Sequence, residues 1–126
     1  MKGRGILLFG RGGRRHAVEA GTVHRISSRE EPNWVRSTVL GAPEKPRRGL
    51  VTVLGDEERA LAVDVVLGIE HIPAESISPL PPLAEETIRT RGISGLVSYE
   101  DELLLLVDLP KLIRESEESA AHAEDE

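Results

Sequence analysis

Short apolar runs separated by glycine and proline turns constrain the fold of this chain more than any other feature of its sequence. Such runs, rich in Val, Ile and Leu and bounded by turn residues, are typical of β-strands. They lie at residues 6–9, 16–18, 35–40, 50–54, 59–66, 92–97 and 103–107. This pattern predicts a mainly β protein built as a barrel or a sandwich.

The residues after the last apolar run predict a C-terminal helix. Asp108 suits its N-cap, Pro110 falls in its first turn, and the helix is expected to reach about Ala121. The run at 103–107 contains no polar residue. It therefore predicts a strand that is buried on both faces.

Glycine and proline also predict the connections. The glycine-rich residues 10–13 match neither phosphate-loop spacing, so they predict a hairpin turn. Residues 73–77 predict one helical turn that begins with proline. The proline-rich stretch 78–83 excludes a helix and predicts a crossover segment with Leu80 and Leu83 buried.

Composition excludes several classes of protein. The chain has 126 residues, which predicts a single domain, and no cysteine, which excludes disulfides and thiolate metal sites. No apolar run approaches the roughly 20 residues of a membrane helix, and the N-terminal apolar run is shorter than that of a signal peptide. We therefore expect a cytoplasmic protein with no direct membrane contact.

No catalytic or metal-binding pattern is visible. The histidines are scattered at His16, His24, His71 and His122. None of them forms a metal-binding pair, and no serine lies in a nucleophile elbow. Turn carboxylates such as Glu100 and Asp101 leave a small hydrolase as a further hypothesis. We expect no enzyme, no cofactor and no metal.

Charge is unevenly distributed along the chain. Residues 1–50 contain 11 Lys and Arg against 4 Asp and Glu, a net +7, whereas residues 51–126 contain 5 against 18, a net −13. Attraction between the two halves within the fold is the favoured interpretation. The alternative is a nucleic-acid-binding module that uses Arg4, Arg11, Arg14, Arg15, Arg47 and Arg48. Aromatic residues make up only 2% of the chain, which disfavours a stacking surface for single strands, and we expect no nucleic-acid partner.

Several motifs resemble the CheW-like domain. The segment VDVVLGI at 63–69 is followed by IPAESISPLPPL at 72–83, and ELLLLVDLPKLI lies at 102–113. These resemble the strand, the proline-rich crossover and the final strand and helix of that family. The N-terminal hairpin is similar to the family's opening segment, so the resemblance covers residues 6–113.

The resemblance implies a fold and a division of the chain. A single CheW-like domain is expected at 1–114, followed by an acidic tail at 115–126. CheW-like domains consist of two SH3-like β-barrel subdomains. The first is expected at about 18–62, and the second at about 63–108 together with the N-terminal hairpin.

The resemblance also implies a function. CheW-like proteins are non-enzymatic adaptors that bind the cytoplasmic tip of a methyl-accepting chemoreceptor and the regulatory domain of a CheA-type histidine kinase. A receptor helix is expected in an apolar groove between the subdomains. The matching positions are Val18, Val23, Ile26, Val66 and Ile69, although ordinary core packing would explain each of them equally well.

One departure from the family concerns the first subdomain. The family's Asn-Leu-Arg-Gly element is absent, and residues 27–34 replace it with one short loop. We therefore expect a reduced first barrel, which places the kinase or the receptor contact in question. An exposed edge of that barrel could be covered by a homodimer mate or another CheW-like protein. The shortening is similar to that of the small adaptors of Frz-type motility systems.

Overall fold

The structure is a computed structural model that describes residues 3–29, 34–35, 40, 42–80 and 92–124. These residues form ten strands, one long helix and two short 3-10 turns. The strands are β1 (Gly3–Arg11), β2 (Arg14–Glu19), β3 (Arg25–Ser27), β4 (Trp34–Val35), β5 (Arg48–Leu54), β6 (Glu57–Val63), β7 (Val65–Pro73), β8 (Ile77–Ser78), β9 (Ile93–Tyr99) and β10 (Glu102–Val107). The helix is α1 (Leu109–Glu124), and the 3-10 turns are Ala20–Thr22 and Ala74–Ser76.

The strands form two sheets, which confirms the mainly β fold. The six-stranded sheet has the order β7-β1-β2-β10-β9-β8, and the four-stranded sheet has the order β3-β5-β6-β4. The N-terminal hairpin joins the strands of the second half through the parallel pairing of β2 with β10. The four-stranded sheet comes from the middle of the chain, and two of its strands have only three and two residues.

Two apolar clusters make up the core. One lies on the inner face of the six-stranded sheet and is built from Ile6, Leu8, Ala17, Ile72, Val97, Leu104 and Leu106. The other, which we call the joint core, includes Leu7, Phe9, Val18, Leu50, Leu61, Val63, Leu109, Leu112 and Ile113. The joint core draws on both sheets and on α1, so it holds the two sheets together.

Helix α1 begins as the sequence predicted. The Asp108 side chain accepts a hydrogen bond from the Lys111 backbone N–H at 3.2 Å, which is N-cap geometry, and Pro110 lies in the first turn. The helix packs on β4, β5 and β6 and continues to Glu124. It thus ends slightly later than predicted and includes much of the stretch 115–126 that was expected to be a tail.

The prediction that residues 103–107 are buried on both faces was wrong. Leu104 and Leu106 point into the core of the six-stranded sheet, but Leu103 is 66% exposed and Leu105 is half-buried. On the other face of β10, the joint core packs against Leu105 and Val107, and it leaves Leu103 exposed. A run of apolar residues therefore does not by itself show that a strand is buried on both faces.

Two other predictions can be compared in part. Residues 34–35 form a strand, but residues 36–39 of the predicted strand 35–40 lie outside the described residues. Leu80 is buried in the joint core, whereas Leu83 lies outside the described residues. The predicted helical turn at 73–77 is confirmed as the 3-10 turn Ala74–Ser76.

His16 is a buried titratable group in β2. It lies beside Phe9, with the two ring centroids 5.6 Å apart. In the part of the chain that the structure describes, neither ring nitrogen has a hydrogen-bond partner. Burial, followed by the charges of Arg11 and Arg14, holds the pKa of His16 below its ordinary value.

This burial predicts a pH-dependent stability. Because the unfolded chain protonates His16 more readily than the folded chain does, stability should fall as the pH drops below about 6.5. Thermal unfolding at about pH 7.5 and about pH 5.5 tests this, and His16→Leu should show a smaller fall in Tm between them. His24→Leu, at an exposed histidine, is the control and should keep the wild-type fall. Equal falls in the wild type and His16→Leu would contradict the prediction.

Candidate functional site

Strand β7 is an edge strand whose side chains are set by a bulge. It pairs with β1, where Leu7 is opposite Ile69 and Phe9 is opposite Val66, and the register shifts between these pairs. In a regular strand, residues three apart point to opposite faces. The extra residue of the bulge places Val66 and Ile69 on the same face, the one that looks toward the joint core.

A row of apolar side chains crosses three strands from the core to the surface. Val18 in β2 is opposite Leu7 in β1, and Leu7 is opposite Ile69 in β7. Val18 and Leu7 are fully buried, whereas Ile69 is 64% exposed. The row therefore leaves the joint core and ends in an exposed anchor at the edge of the sheet.

The four-stranded sheet has a corresponding position at its own edge. Ile26 in β3 is opposite Leu50 in β5, so the two share a face, and Leu50 is fully buried in the joint core. Ile26 is nevertheless 43% exposed, because β3 is the outer strand. Val23, just before β3, is half-buried against the same core.

The five residues predicted for the groove thus have three kinds of environment. Val18 is a core residue whose side chain is not accessible. Val23 and Val66 are half-buried against the joint core, and Ile26 and Ile69 are exposed. We call the surface made by Val23, Ile26, Val66 and Ile69 the candidate groove; its role in binding remains a prediction.

A cleft adjoins the candidate groove at Val66. It has a volume of about 510 Å³ and is lined by Glu44, Lys45, Arg47, Arg48, Asp64, Val65 and Val66. Its floor is the apolar start of β7, and its wall is the loop before β5. The side chains of Lys45, Arg47 and Arg48 are exposed there.

Asp64, between β6 and β7, holds this loop in place. One carboxylate oxygen accepts hydrogen bonds from the N–H groups of Gly12 and Glu44 at 2.9 and 3.0 Å. The other accepts from the Lys45 N–H at 2.7 Å. Burial alone raises the pKa of Asp64, but these three donors and the charge of Arg11 outweigh it and lower the pKa. The carboxylate therefore joins the β1–β2 turn and the loop before β5 to the start of β7.

Removing this carboxylate should loosen both segments. We expect Asp64→Ala to lower the free energy of unfolding by about 2–3 kcal/mol, because three N–H groups lose a charged acceptor. Denaturant unfolding above pH 5 measures it, since the lowered pKa means that the contribution is lost only as the pH falls below about 3.8. Asp56→Ala, which removes an exposed turn carboxylate, is the matched control. Equal losses in the two variants would contradict this role.

The structure disfavours the nucleic-acid alternative. Of the six arginines proposed for it, Arg11 is fully buried, and its Nε donates to the Ala62 carbonyl at 2.9 Å. Arg4 is paired with Glu19, and Arg15 with Glu102. Of the remaining three, Arg47 and Arg48 line one cleft and Arg14 lines another, so the six arginines are not brought together on one surface.

The carboxylates of the hydrolase hypothesis also lack a site. Glu100 and Asp101 form the tip of the β9–β10 hairpin, where both have positive φ, and Glu100 lies 3.5 Å from Arg15. The described residues contain no group of three His, Asp or Glu side chains that could hold a metal ion.

Comparison with known proteins decides the family. The CheW-like domain family matches residues 35–117 of this chain, about two thirds of its length. The chain belongs to the CheW-like domain family. This confirms the resemblance drawn from the motifs in its second half.

Two relatives place the CheW-like chain more closely. It is 30% identical over 109 residues to the Frizzy aggregation protein FrzB of Myxococcus xanthus, which covers 86% of this chain and 94% of FrzB. It shares the fold of the scaffolding protein TtCheW from Thermoanaerobacter tengcongensis, with a TM-score of 0.64, 16% identity and 85% of each chain covered. As a member of the CheW-like domain family, the chain is a scaffold or adaptor of a chemotaxis-type system, a class of protein that is not enzymatic.

Two observations complete the description of the CheW-like chain. Within the described residues, no helix has the length and apolar character needed to cross a bilayer. Lys45 and Asp64 were not among the residues predicted for the site. Asp64 carries a signal that could have been used, because it is a single carboxylate between two apolar runs.

Proposed function

We propose that this CheW-like adaptor binds the cytoplasmic tip of a methyl-accepting chemoreceptor through the candidate groove. The observation that carries the proposal is the exposed Ile69 beside half-buried Val66 on an edge strand. An exposed isoleucine at the end of a buried apolar row gives a partner an apolar contact that is already supported by packed core side chains. Family membership supports a receptor as that partner.

The shape of the surface favours a helical segment. Ile69 and Ile26 lie at the outer strands of two different sheets, on faces that look toward one shared core. An amphipathic helix places apolar side chains at three- and four-residue spacing along one face, which suits a groove with a few separate anchors. The fully buried Val18 supports the base of the groove and makes no contact of its own.

We propose a CheA-type kinase as the second partner of this protein. The first subdomain is represented by a sheet in which β3 has three residues and β4 has two. A contact that depends on a complete first barrel would be weakened by such a sheet. We therefore expect the receptor contact to be the stronger, and we place the protein on the cytoplasmic side of a receptor array.

Isothermal titration calorimetry tests both contacts separately. The protein is titrated with a receptor hairpin fragment and, in a second experiment, with a kinase regulatory domain. Binding to the receptor fragment supports the proposal, and additional binding to the kinase domain supports a complete coupler. Binding to the receptor alone identifies an adaptor that does not recruit the kinase directly. Failure to bind the receptor fragment would overturn the proposal.

A further inference from the structure

Three cations at one end of the candidate groove have no carboxylate partner among the described residues. They are Lys45, Arg47 and Arg48, whose side chains line the cleft next to Val65 and Val66. Four other cations, Arg4, Arg15, Arg25 and Arg59, are paired with carboxylates. Arg14 and Arg114 are exposed as well, but they do not line this cleft. Among the described residues, Arg48 donates to the backbone carbonyls of Ser28 and Arg47, at 3.3 and 3.1 Å.

The backbone that carries these cations is fixed. Asp64 accepts hydrogen bonds from the N–H groups of Glu44 and Lys45. The Arg47 N–H donates to the Val63 carbonyl at 3.1 Å, which fixes the loop against the end of β6. The three cations are therefore held beside β7 by a preorganised loop, so a partner does not have to order that backbone when it binds.

The cleft and the candidate groove are continuous. Val66 lines the cleft and also faces the joint core beside Ile69. Because Val66 lines the cleft together with Lys45 and Arg47, a helix that contacts Val66 would have these cations beside it. A cationic end of an apolar groove is complementary to a helix that carries acidic side chains beyond its apolar anchors.

We propose that this cleft binds acidic side chains of the same partner helix that occupies the groove, and so sets the direction in which the helix docks. The inference rests on the proposed function. Peptide carboxylates fit the cleft better than the phosphates of a nucleic acid do. Val65 and Val66 line the cleft beside the cations; they can pack against the methylene groups of an acidic side chain but offer a phosphate backbone no contact. Glu44 and Asp64 also line the cleft and reduce its net positive charge, which favours a few carboxylates over a polyanion.

Charge reversal separates this inference from the groove itself. Lys45→Glu combined with Arg47→Glu should weaken binding of a receptor hairpin fragment by about tenfold or more at low ionic strength. The loss should shrink to about twofold near 1 M salt, where the Debye length is only about 3 Å. Calorimetry at two salt concentrations measures both effects. Arg14→Glu combined with Arg114→Glu is the matched control, because both arginines are exposed, lie outside the cleft and give the same change in net charge.

The outcomes distinguish the two proposals. If the wild type binds and the Lys45 and Arg47 variant binds equally well, the inference is overturned and the proposed function stands. Equal losses in this variant and in the control also overturn the inference, because they reflect net charge alone. If the wild type does not bind the fragment, both the proposed function and this inference are overturned. Binding of a fluorescent DNA duplex that is lost in the cleft variant would assign the cations to nucleic acid and overturn the inference.

Discussion

Gly92→Ala should destabilise this protein by about 2–5 kcal/mol, as the sum of backbone strain and overpacking. Gly92 precedes β9 and has a φ of +94°, in a region that L-residues rarely adopt. A Cβ at this position would lie 2.5 Å from the Cα of Leu112 and 2.6 Å from its backbone nitrogen. Because the obstacle is backbone and not a flexible side chain, either α1 or the start of β9 must move.

The consequences should extend beyond the site of substitution. The Gly92 carbonyl accepts a hydrogen bond from the Asp108 N–H at 2.8 Å, so Gly92 also fixes the start of α1. Leu112 is fully buried in the joint core, and α1 packs on β4. A displaced helix should therefore change the environment of Trp34, the only tryptophan, which lies in β4.

Denaturant unfolding followed by tryptophan fluorescence measures both effects. Gly21→Ala is the matched control, since a Cβ at Gly21 meets no atom within 4 Å and its φ is not in the left-handed region. We expect that control to remain within about 0.5 kcal/mol of the wild type. A Gly92→Ala protein as stable as the control would show that α1 does not pack on Gly92 in solution.

Features that depend on local sequence were predicted well. The apolar runs predicted the strands because side-chain alternation and turn residues act within a few positions of each other. The N-cap at Asp108 was predicted for the same reason, since its acceptor and the Lys111 N–H are three residues apart. The motifs of residues 63–113 then indicated the family, which the comparison confirmed.

Features that depend on distant parts of the chain were not predicted. The burial of Leu103 depends on what packs over β10, and a run of leucines contains no such information. The contacts of Asp64 join segments that are about 20 and about 52 residues away in the sequence. The bulge in β7 changes which side chains share a face, so the match of Val66 with Ile69 came from the family resemblance and not from alternation.

Ile69→Asp should abolish binding of the receptor hairpin fragment, with a loss of about 100-fold or more in affinity. Burying an isoleucine side chain contributes about 1.5–3 kcal/mol to binding. An unpaired carboxylate in its place adds a desolvation cost to that loss. Because a tenfold change in affinity corresponds to about 1.4 kcal/mol, the two effects together exceed 100-fold. Ile69 is 64% exposed in the free protein, so the substitution should leave the thermal unfolding curve nearly unchanged. Calorimetry with the same fragment measures the affinity.

Leu103→Asp provides the matched control for this loss. Leu103 is 66% exposed, nearly the same as Ile69, and lies in the same sheet on β10, three strands away from β7. A general effect of an added surface carboxylate would weaken binding equally in both variants. A specific groove would weaken binding only for Ile69→Asp, and Ile69→Val should restore most of the affinity because it keeps an apolar anchor. If Ile69→Asp binds the fragment as tightly as the wild type does, the edge of β7 is not the receptor contact. The shared joint core would then be purely structural, and Ile69 would join Leu103 as an exposed residue without a role in docking.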